Sequence, residues 1–575
     1  MKNKTNRVKM TTGGLILRIV LIALILAFVI YPNINIVLSV LFEDGHFSTE
    51  AVTKLLKSKR AVKSMKNSLI LGVSLTITVN VIGVLSVLFT EYWDIRGSKL
   101  LKVAYMTPLF YGGVVLATGY LYVYGQRGIV TTLLLKVWPN MDPNWFQGYW
   151  AVLFMMSFAC TSNHIIFLTN AIRGLDYHVI EAAQNMGASD LRILFKVVLP
   201  CLLPTIFSLS IMTFLTGICA LSGPLMVGGS DFQTINPMIV TFAGNPNSRD
   251  LGAMLAIFLG LLTVVFLVVL NYVESKGNYM SVSKTKAKMK KQKIQNPALN
   301  LAGHLLAWGM FLVYVLPICL VIFASFNNSL AIQTYTLSWK SLTLDNYAAV
   351  FAKKDGLRPY IVSVLYSIAA AVIAAGVCVL VARIALKKER KADRFFEYGV
   401  LIPWMLPTTF VALGILYTFN ESRWFVGNKV LVGTIWAMLI AYIVVKLPFS
   451  FRMIRAAFFG VDDNLEEAAK AMGAKPGYTL VKVILPVIMP TVLSVIALNF
   501  NSLLSDYDLS VFLYTPRFQP LGIVIKSLSD ATDPNGKGIM LVYSVILMVI
   551  CSIVVWLTRG NGADVLKKVF KRKEG

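Results

Sequence analysis

The chain has 575 residues, of which 57% are hydrophobic and 14% charged, and it carries a formal net charge of +26. A charged share so far below the ~25% of soluble domains excludes an ordinary soluble enzyme and points to a polytopic membrane protein. The positive excess sits at membrane edges rather than on a polar domain with aromatic platforms, which excludes nucleic acid as a partner.

Apolar windows of about 20 residues are long enough to cross roughly 30 Å of hydrocarbon. In the first half they fall near 14–41, 68–90, 101–124, 147–170, 198–222 and 251–273. In the second half they fall near 301–325, 361–385, 397–418, 430–449, 485–504 and 539–557. The first window is too long for a secretory signal and lacks a small-residue cleavage site, so it reads as a retained span. The expected fold is all-α and polytopic, with about twelve transmembrane helices in two tandem six-helix halves. The first half covers 1–275, a basic linker 276–300, and the second half 301–575.

Three basic segments orient the bundle. Lys2, Lys4, Arg7 and Lys9 precede the first span, Lys276, Lys284, Lys286, Lys288, Lys290, Lys291 and Lys293 fill the linker, and Lys567, Lys568, Lys571, Arg572 and Lys573 follow the last span. Six spans per half put all three on one side, and the positive-inside rule makes that side the cytoplasm, with both termini there. The stretch Phe42–Lys66, with Lys54, Lys57, Lys59, Arg60, Lys63 and Lys66, disagrees. A missed or re-entrant span in the first half is the alternative it raises.

After the fourth span of each half comes a repeat. VIEAAQNMGASDLRILFKVVLPCLLPT (Val179–Thr205) returns as LEEAAKAMGAKPGYTLVKVILPVIMPT (Leu465–Thr491), 286 residues later. Across Ala171–Thr205, 16 of 35 positions are identical to their partners, where chance gives about two. Asp176 and Asp462 are in place to cap short helices that stop at Gly187 and Gly473, where glycine takes the left-handed conformation cheaply. A second helix begins at Ser189 in one copy and near Pro476 in the other. The alanine pairs Ala182–Ala183 and Ala468–Ala469 keep a helix surface low enough for another protein to approach, and Glu181 and Glu467 add charge there. For a single copy, a plain surface helix-turn-helix explains as much; two copies at one spacing favour a shared partner.

Both copies, Glu181–Pro200 and Glu467–Pro486, read Glu-Ala-Ala, three residues, Gly, nine residues, an aliphatic residue, one more, then Leu-Pro. This resembles the cytoplasmic coupling motif of the inner-membrane permeases of type I ATP-binding cassette importers, with Val197 and Val483 where the family often has Ile. The resemblance implies that each short helix sits in a cleft of an ATP-binding subunit and transmits its closure to the spans. Glu181 and Glu467 would make polar contacts, Ala182, Ala183, Ala468 and Ala469 would fit the cleft, and Gly187 and Gly473 would permit the bend. It further implies two ATPase partners, an extracytoplasmic solute-binding protein or lipoprotein, and an inner-membrane location in the lipid bilayer. The segments Leu221–Ile235 and Ser505–Ile525 look similar to those of fused permeases for ferric iron, with thiamine and 2-aminoethylphosphonate importers as close relatives.

No G-x-x-x-x-G-K-[ST] phosphate loop occurs, so ATP hydrolysis is expected from partner subunits. No catalytic cluster, cofactor or metal site is called for. Cys160, Cys201, Cys219, Cys319, Cys378 and Cys551 are scattered without C-x-x-C pairing and read as small buried thiols. His164 reads as packing against a neighbouring helix, with a pore-lining role as the alternative, and His178 is given no catalytic role. An ion-driven carrier would place ionisable residues mid-span and would not need the repeated loop. The candidate solute path runs along the fifth spans, through Thr213, Asn499, Asp506 and Asp508. Helix rise puts Asn499 about 20 Å from the cytoplasmic end and the aspartates roughly 30 Å from it, at an outer mouth. Two readings stand for the aspartates: solvated helix-end charges, or an entrance favouring cationic solute or the binding protein.

Overall fold

The computed structural model describes residues 12–43, 46–109, 112–276, 289–352, 355–387, 393–530 and 534–559. The basic residues assigned to the amino terminus, those of the linker at Lys284, Lys286 and Lys288, and those after the last span lie outside the described residues. Among the described residues, nine helices are long and apolar enough to cross a membrane, and up to twelve if each of three bent pairs is one span.

The first half contains α1 (Thr12–Leu41), α2 (Lys59–Tyr92), the pair α3 (Ser98–Tyr105) and α4 (Gly113–Tyr124), and the pair α5 (Tyr149–Ala159) and α6 (Ser162–Arg173). Then come the short α7 (Tyr177–Asn185), α8 (Asp190–Ile218), the short α9 (Ile235–Ala243) and α10 (Arg249–Lys276). The second half repeats the series as α11 (Pro297–Ser325), α12 (Arg358–Lys387), the pair α13 (Asp393–Leu401) and α14 (Thr408–Phe419), and α15 (Ile435–Phe459). It closes with the short α16 (Asp463–Ala471), α17 (Pro476–Leu504), the short α18 (Leu521–Asp530) and α19 (Pro534–Arg559). The all-α duplicated architecture expected from the sequence is what the chain adopts.

Among the described residues the basic stretch after α1 holds no span, which removes the alternative it raised: β1 (Phe42–Glu43) pairs antiparallel with β2 (His46–Phe47), and a short helix, Glu50–Lys57, follows. Lys59, Arg60, Lys63 and Lys66 then form the first turns of α2. The third span of each half is broken, with bends of 117° between α3 and α4 and 106° between α13 and α14. Prolines stand at both breaks, Pro108 in the first and Pro403 and Pro407 in the second; each removes a backbone donor and clashes with the preceding turn.

The halves exchange their first spans. The α1 residues Leu21, Ile25 and Val29 belong to the apolar core of α12 to α17, while Ala307, Met310 and Tyr314 of α11 belong to that of α2 to α8. Each crossing is tight at a glycine. A Cβ on Gly119 of α4 would come within 3.0 Å of Pro317 on α11, and one on Gly414 of α14 within 2.9 Å of the Pro32 carbonyl on α1. Polar ties fix the crossings, with Tyr105 donating to the Ala307 carbonyl at 2.7 Å and Asn35 to Thr418 at 3.2 Å.

Candidate coupling loops and central cavity

The two repeated loops fold alike. Asp176 accepts from the His178 N–H at 3.2 Å and Asp462 from the Asn464 N–H at 3.0 Å, capping α7 and α16. Both helices end in the same reciprocal closure. Ala188 N–H reaches the Ala183 carbonyl and Gly187 N–H the Gln184 carbonyl, and Ala474 and Gly473 repeat the pattern onto Ala469 and Lys470. This six-to-one plus five-to-two arrangement needs a left-handed residue, which Gly187 (φ +78°) and Gly473 (φ +81°) supply.

The paired alanines do not share a surface, contrary to the sequence expectation. Ala183 and Ala469 are 6% and 2% exposed and pack inward, while Ala182 and Ala468 face out. Adjacent helical residues point about 100° apart, so one of each pair must turn away. Glu181 and Glu467 are exposed beside the outward alanines. Met186 and Met472, at matching positions, are 80% and 81% exposed. A small apolar face ringed by one carboxylate is thus presented twice.

Charges hold the segments near these helices. Glu91, at the end of α2, accepts from Arg173 at 2.9 and 3.1 Å and also pairs with Lys102. In the second half Glu397 pairs with Arg455, and Arg383 of α12 grips Glu466 of α16 through two bonds of 2.7 and 2.6 Å.

Between the halves lies a cavity of about 440 Å³, lined by Gly112, Ser222, Asn501, Ser502, Asp506 and Asp508, with further residues of α17 and α19. Ser222 Oγ donates to Asp508 Oδ1 at 2.7 Å. These residues stand 286 positions apart, the repeat spacing, so the bond joins equivalent points of the two halves and marks the axis that relates them. Asp506 accepts from the Ser510 N–H at 3.1 Å.

Asp506 and Asp508 are half-buried and line the cavity rather than capping α17 in open water. The chain does not leave the bundle after α17 but turns back, and α18 packs over it. Leu521 is fully buried, its N–H is held by Ser363 of α12, and Gly522 lies against the Asp506 carbonyl. The other two path candidates are bonded within the helices. The Thr213 hydroxyl donates to its own helix at Leu209, and buried Asn499 donates to Ser450 of α15 at 2.7 Å. His164 is fully buried against Gly83 of α2, with Nε2 3.2 Å from Asn80 Oδ1. All six cysteines are free, but only Cys378 and Cys551 are buried, and Cys201 and Cys319 are exposed, contrary to the reading of small buried thiols.

Residues 76–276 and 367–565 each match the model of the binding-protein-dependent transport system inner membrane component. The chain belongs to that family of permeases. It is 34% identical over 525 residues to a probable ABC transporter permease, y4fN, of Sinorhizobium fredii, covering 91% of this chain and 92% of that one. It is 24% identical over 552 residues to the ferric transport system permease FbpB of Actinobacillus pleuropneumoniae, covering 93% and 76%. A putative 2-aminoethylphosphonate transport system permease, PhnV, of Salmonella paratyphi A is 29% identical over 154 residues, covering 27% and 56%.

The permease holds one charged group in this region that the sequence reading passed over. Lys446 lies about halfway along α15, roughly 16 Å from its start at 1.5 Å per residue. Its Nζ donates to Ser502 at 2.6 Å, and Ser502 lines the cavity. A lone lysine in the apolar run Ile435–Phe449 was the available signal, sharpened by the neutral Cys160 at the matching place in the first half. Charged side chains inside a span are costly, and those that persist face the bundle interior or a wet cavity.

Proposed function

We propose that this permease moves a small polar solute between its halves into the cytoplasm, driven by ATP-binding subunits docked on α7 and α16. The duplicated outward face of those helices carries the reading: Glu181, Ala182 and Met186 recur as Glu467, Ala468 and Met472 in the same exposure. Two like sites call for two like partners. Closure of such partners would draw the loops together and work on α8 and α17, whose ends far from the loops lie at the cavity. The Ser222–Asp508 bond joins the halves there. Solute would arrive from a binding protein on the opposite face, in keeping with the family's description.

Ferric iron is the proposed cargo, because likeness to FbpB runs along 93% of this chain; likeness to PhnV supports 2-aminoethylphosphonate over a shorter stretch. Asp506, Asp508 and the cavity serines supply oxygen ligands and hydrogen-bond partners to a passing solute. Two measurements test the reading. The purified chain should hydrolyse no ATP until its ATP-binding subunits are added. Vesicles holding the full assembly should then accumulate iron from a ferric-loaded binding protein; accumulation of the phosphonate instead would reassign the cargo. Hydrolysis by the chain alone, abolished by a substitution within it, would overturn the whole reading.

A further inference from the structure

The described end of the linker, Met289–Asn296, is laid along the first coupling helix. At Gln292 the backbone pairs with the end of α2: its N–H donates to the Tyr92 carbonyl at 2.8 Å, and the Asp94 N–H donates to its carbonyl at 2.9 Å. Side chains follow α7 from start to finish. Lys290 Nζ stands 5.3 Å from the centroid of the Tyr177 ring, at the helix start. Gln184, in the last turn, donates to Gln292 Oε1 at 2.7 Å, and beyond the turn Asp190 accepts from the Gln295 N–H at 3.1 Å. Lys291, also exposed, donates to Ser98 at 2.5 Å, where partial burial pushes its ammonium below the usual lysine range against the pull of Glu91 and Asp94. Lys290 and Lys293 are exposed. In sequence, Lys293 falls between Gln292 and Gln295, the residues that contact Gln184 and Asp190.

The second loop carries its own lysines there. Lys470 lies in the last turn of α16, where a cation suits the negative helix terminus and where its Nζ is 3.8 Å from Glu466, and Lys475 follows the turn; both are exposed. Their equivalents in the first loop are Gln184 and Ser189, both neutral. The first loop's own exposed cation, Arg192, comes later, where the second has Tyr478. The linker thus sets lysines alongside the loop that lacks them.

We propose that Met289–Gln295 is a built part of the first docking site, supplying through Lys290 and Lys293 the positive charge that the second loop carries as Lys470 and Lys475, to meet an acidic rim on the ATP-binding subunit. The inference rests on the coupling reading above. Two copies of one subunit present the same acidic groups to both loops, so a charge met by Lys470 or Lys475 on one side needs an equivalent on the other. Contacts of this kind act within the screening length of about 8 Å at physiological salt and set the rate of association more than raw affinity.

The test uses the full chain in nanodiscs with its ATP-binding subunit. A cysteine in place of Met186 or Met472 reports docking at each loop by cross-linking to the subunit. The double substitution Lys290→Ser, Lys293→Ser should lower cross-linking from position 186 at least threefold at low salt and leave position 472 unchanged. Adding Gln184→Lys and Ser189→Lys should restore it, and Lys470→Gln with Lys475→Ser should lower position 472 alone. Unchanged cross-linking at position 186, or failure of the two new lysines to restore it, overturns the proposal while the coupling reading stands. A loss seen in anionic lipid but absent in detergent assigns the lysines to lipid headgroups and also overturns it. If neither cysteine cross-links in the otherwise unaltered chain, the coupling reading falls and the inference with it.

Discussion

The two repeated helices share the exposed trio Glu181, Ala182 and Met186 with Glu467, Ala468 and Met472, and differ in how each is anchored to the protein. On α16 the inward position is Glu466, clasped by Arg383 of α12. The same position on α7 is Ile180, 1% exposed, and the place of Arg383 on α2 is taken by Leu88, 3% exposed, in the same apolar core. The alignment of α2 with α12 is fixed by Ser68 and Ser363, which hold the first N–H of α9 and of α18 at 2.8 and 2.7 Å. One half fastens its coupling helix by an ion pair, the other by apolar contact plus the linker. The outward groups are what a shared partner would constrain; an inward contact is free to change chemistry provided both sides change together, since an unmatched charge is what costs.

That contrast can be broken most severely by putting half of one anchor into the other. Ile180→Glu places a carboxylate in an apolar seat without a cation and should cost about 3–5 kcal/mol, read as a large drop in unfolding temperature in detergent. Adding Leu88→Arg should return at least half of it; no recovery would show that the two anchors are not interchangeable. Arg383→Ala removes both short bonds to half-buried Glu466 and leaves it the 3.8 Å contact with exposed Lys470, which should cost about 1.5–3 kcal/mol, whereas Arg173→Ala should cost under about 1 kcal/mol, because Glu91 keeps its closer pairing with Lys102. Equal losses in these two variants would dissolve the distinction. Outward substitutions should be indifferent to the half. Glu181→Lys and Glu467→Lys should each weaken association with the ATP-binding subunit about tenfold, near 1.4 kcal/mol, measured by titration of assembly. The smallest matched pair is Gly187→Ala and Gly473→Ala. Each forces a Cβ into the left-handed region for about 1 kcal/mol, detectable as a small and equal fall in unfolding temperature.

The sequence carried the duplication, the span positions and the caps of both coupling helices, because these depend on composition and neighbours along the chain. Asp176 and Gly187 needed no tertiary information to be read. Asp506 and Asp508 did: their depth was extrapolated along one helix, and nothing local announces that the chain folds back as α18. The broken third spans were signalled by Pro108, Pro403 and Pro407, yet hydropathy alone reads across them. Lys446 was visible as a charge within an apolar run. Its tie to Ser502 was not visible, nor was the exchange of α1 and α11, since packing partners hundreds of residues away leave no local periodicity.

That exchange bears on how the protein is made. Asn35 of α1 has its seat at Thr418, 383 residues later. At about 5–20 residues per second, the ribosome delivers that seat on the order of 20 to 80 seconds after Asn35 itself. Through that interval the first span must be chaperoned by lipid or by the insertion machinery, with its final neighbour still unmade. Carrying both halves on one message guarantees that the neighbour arrives, and in the same membrane.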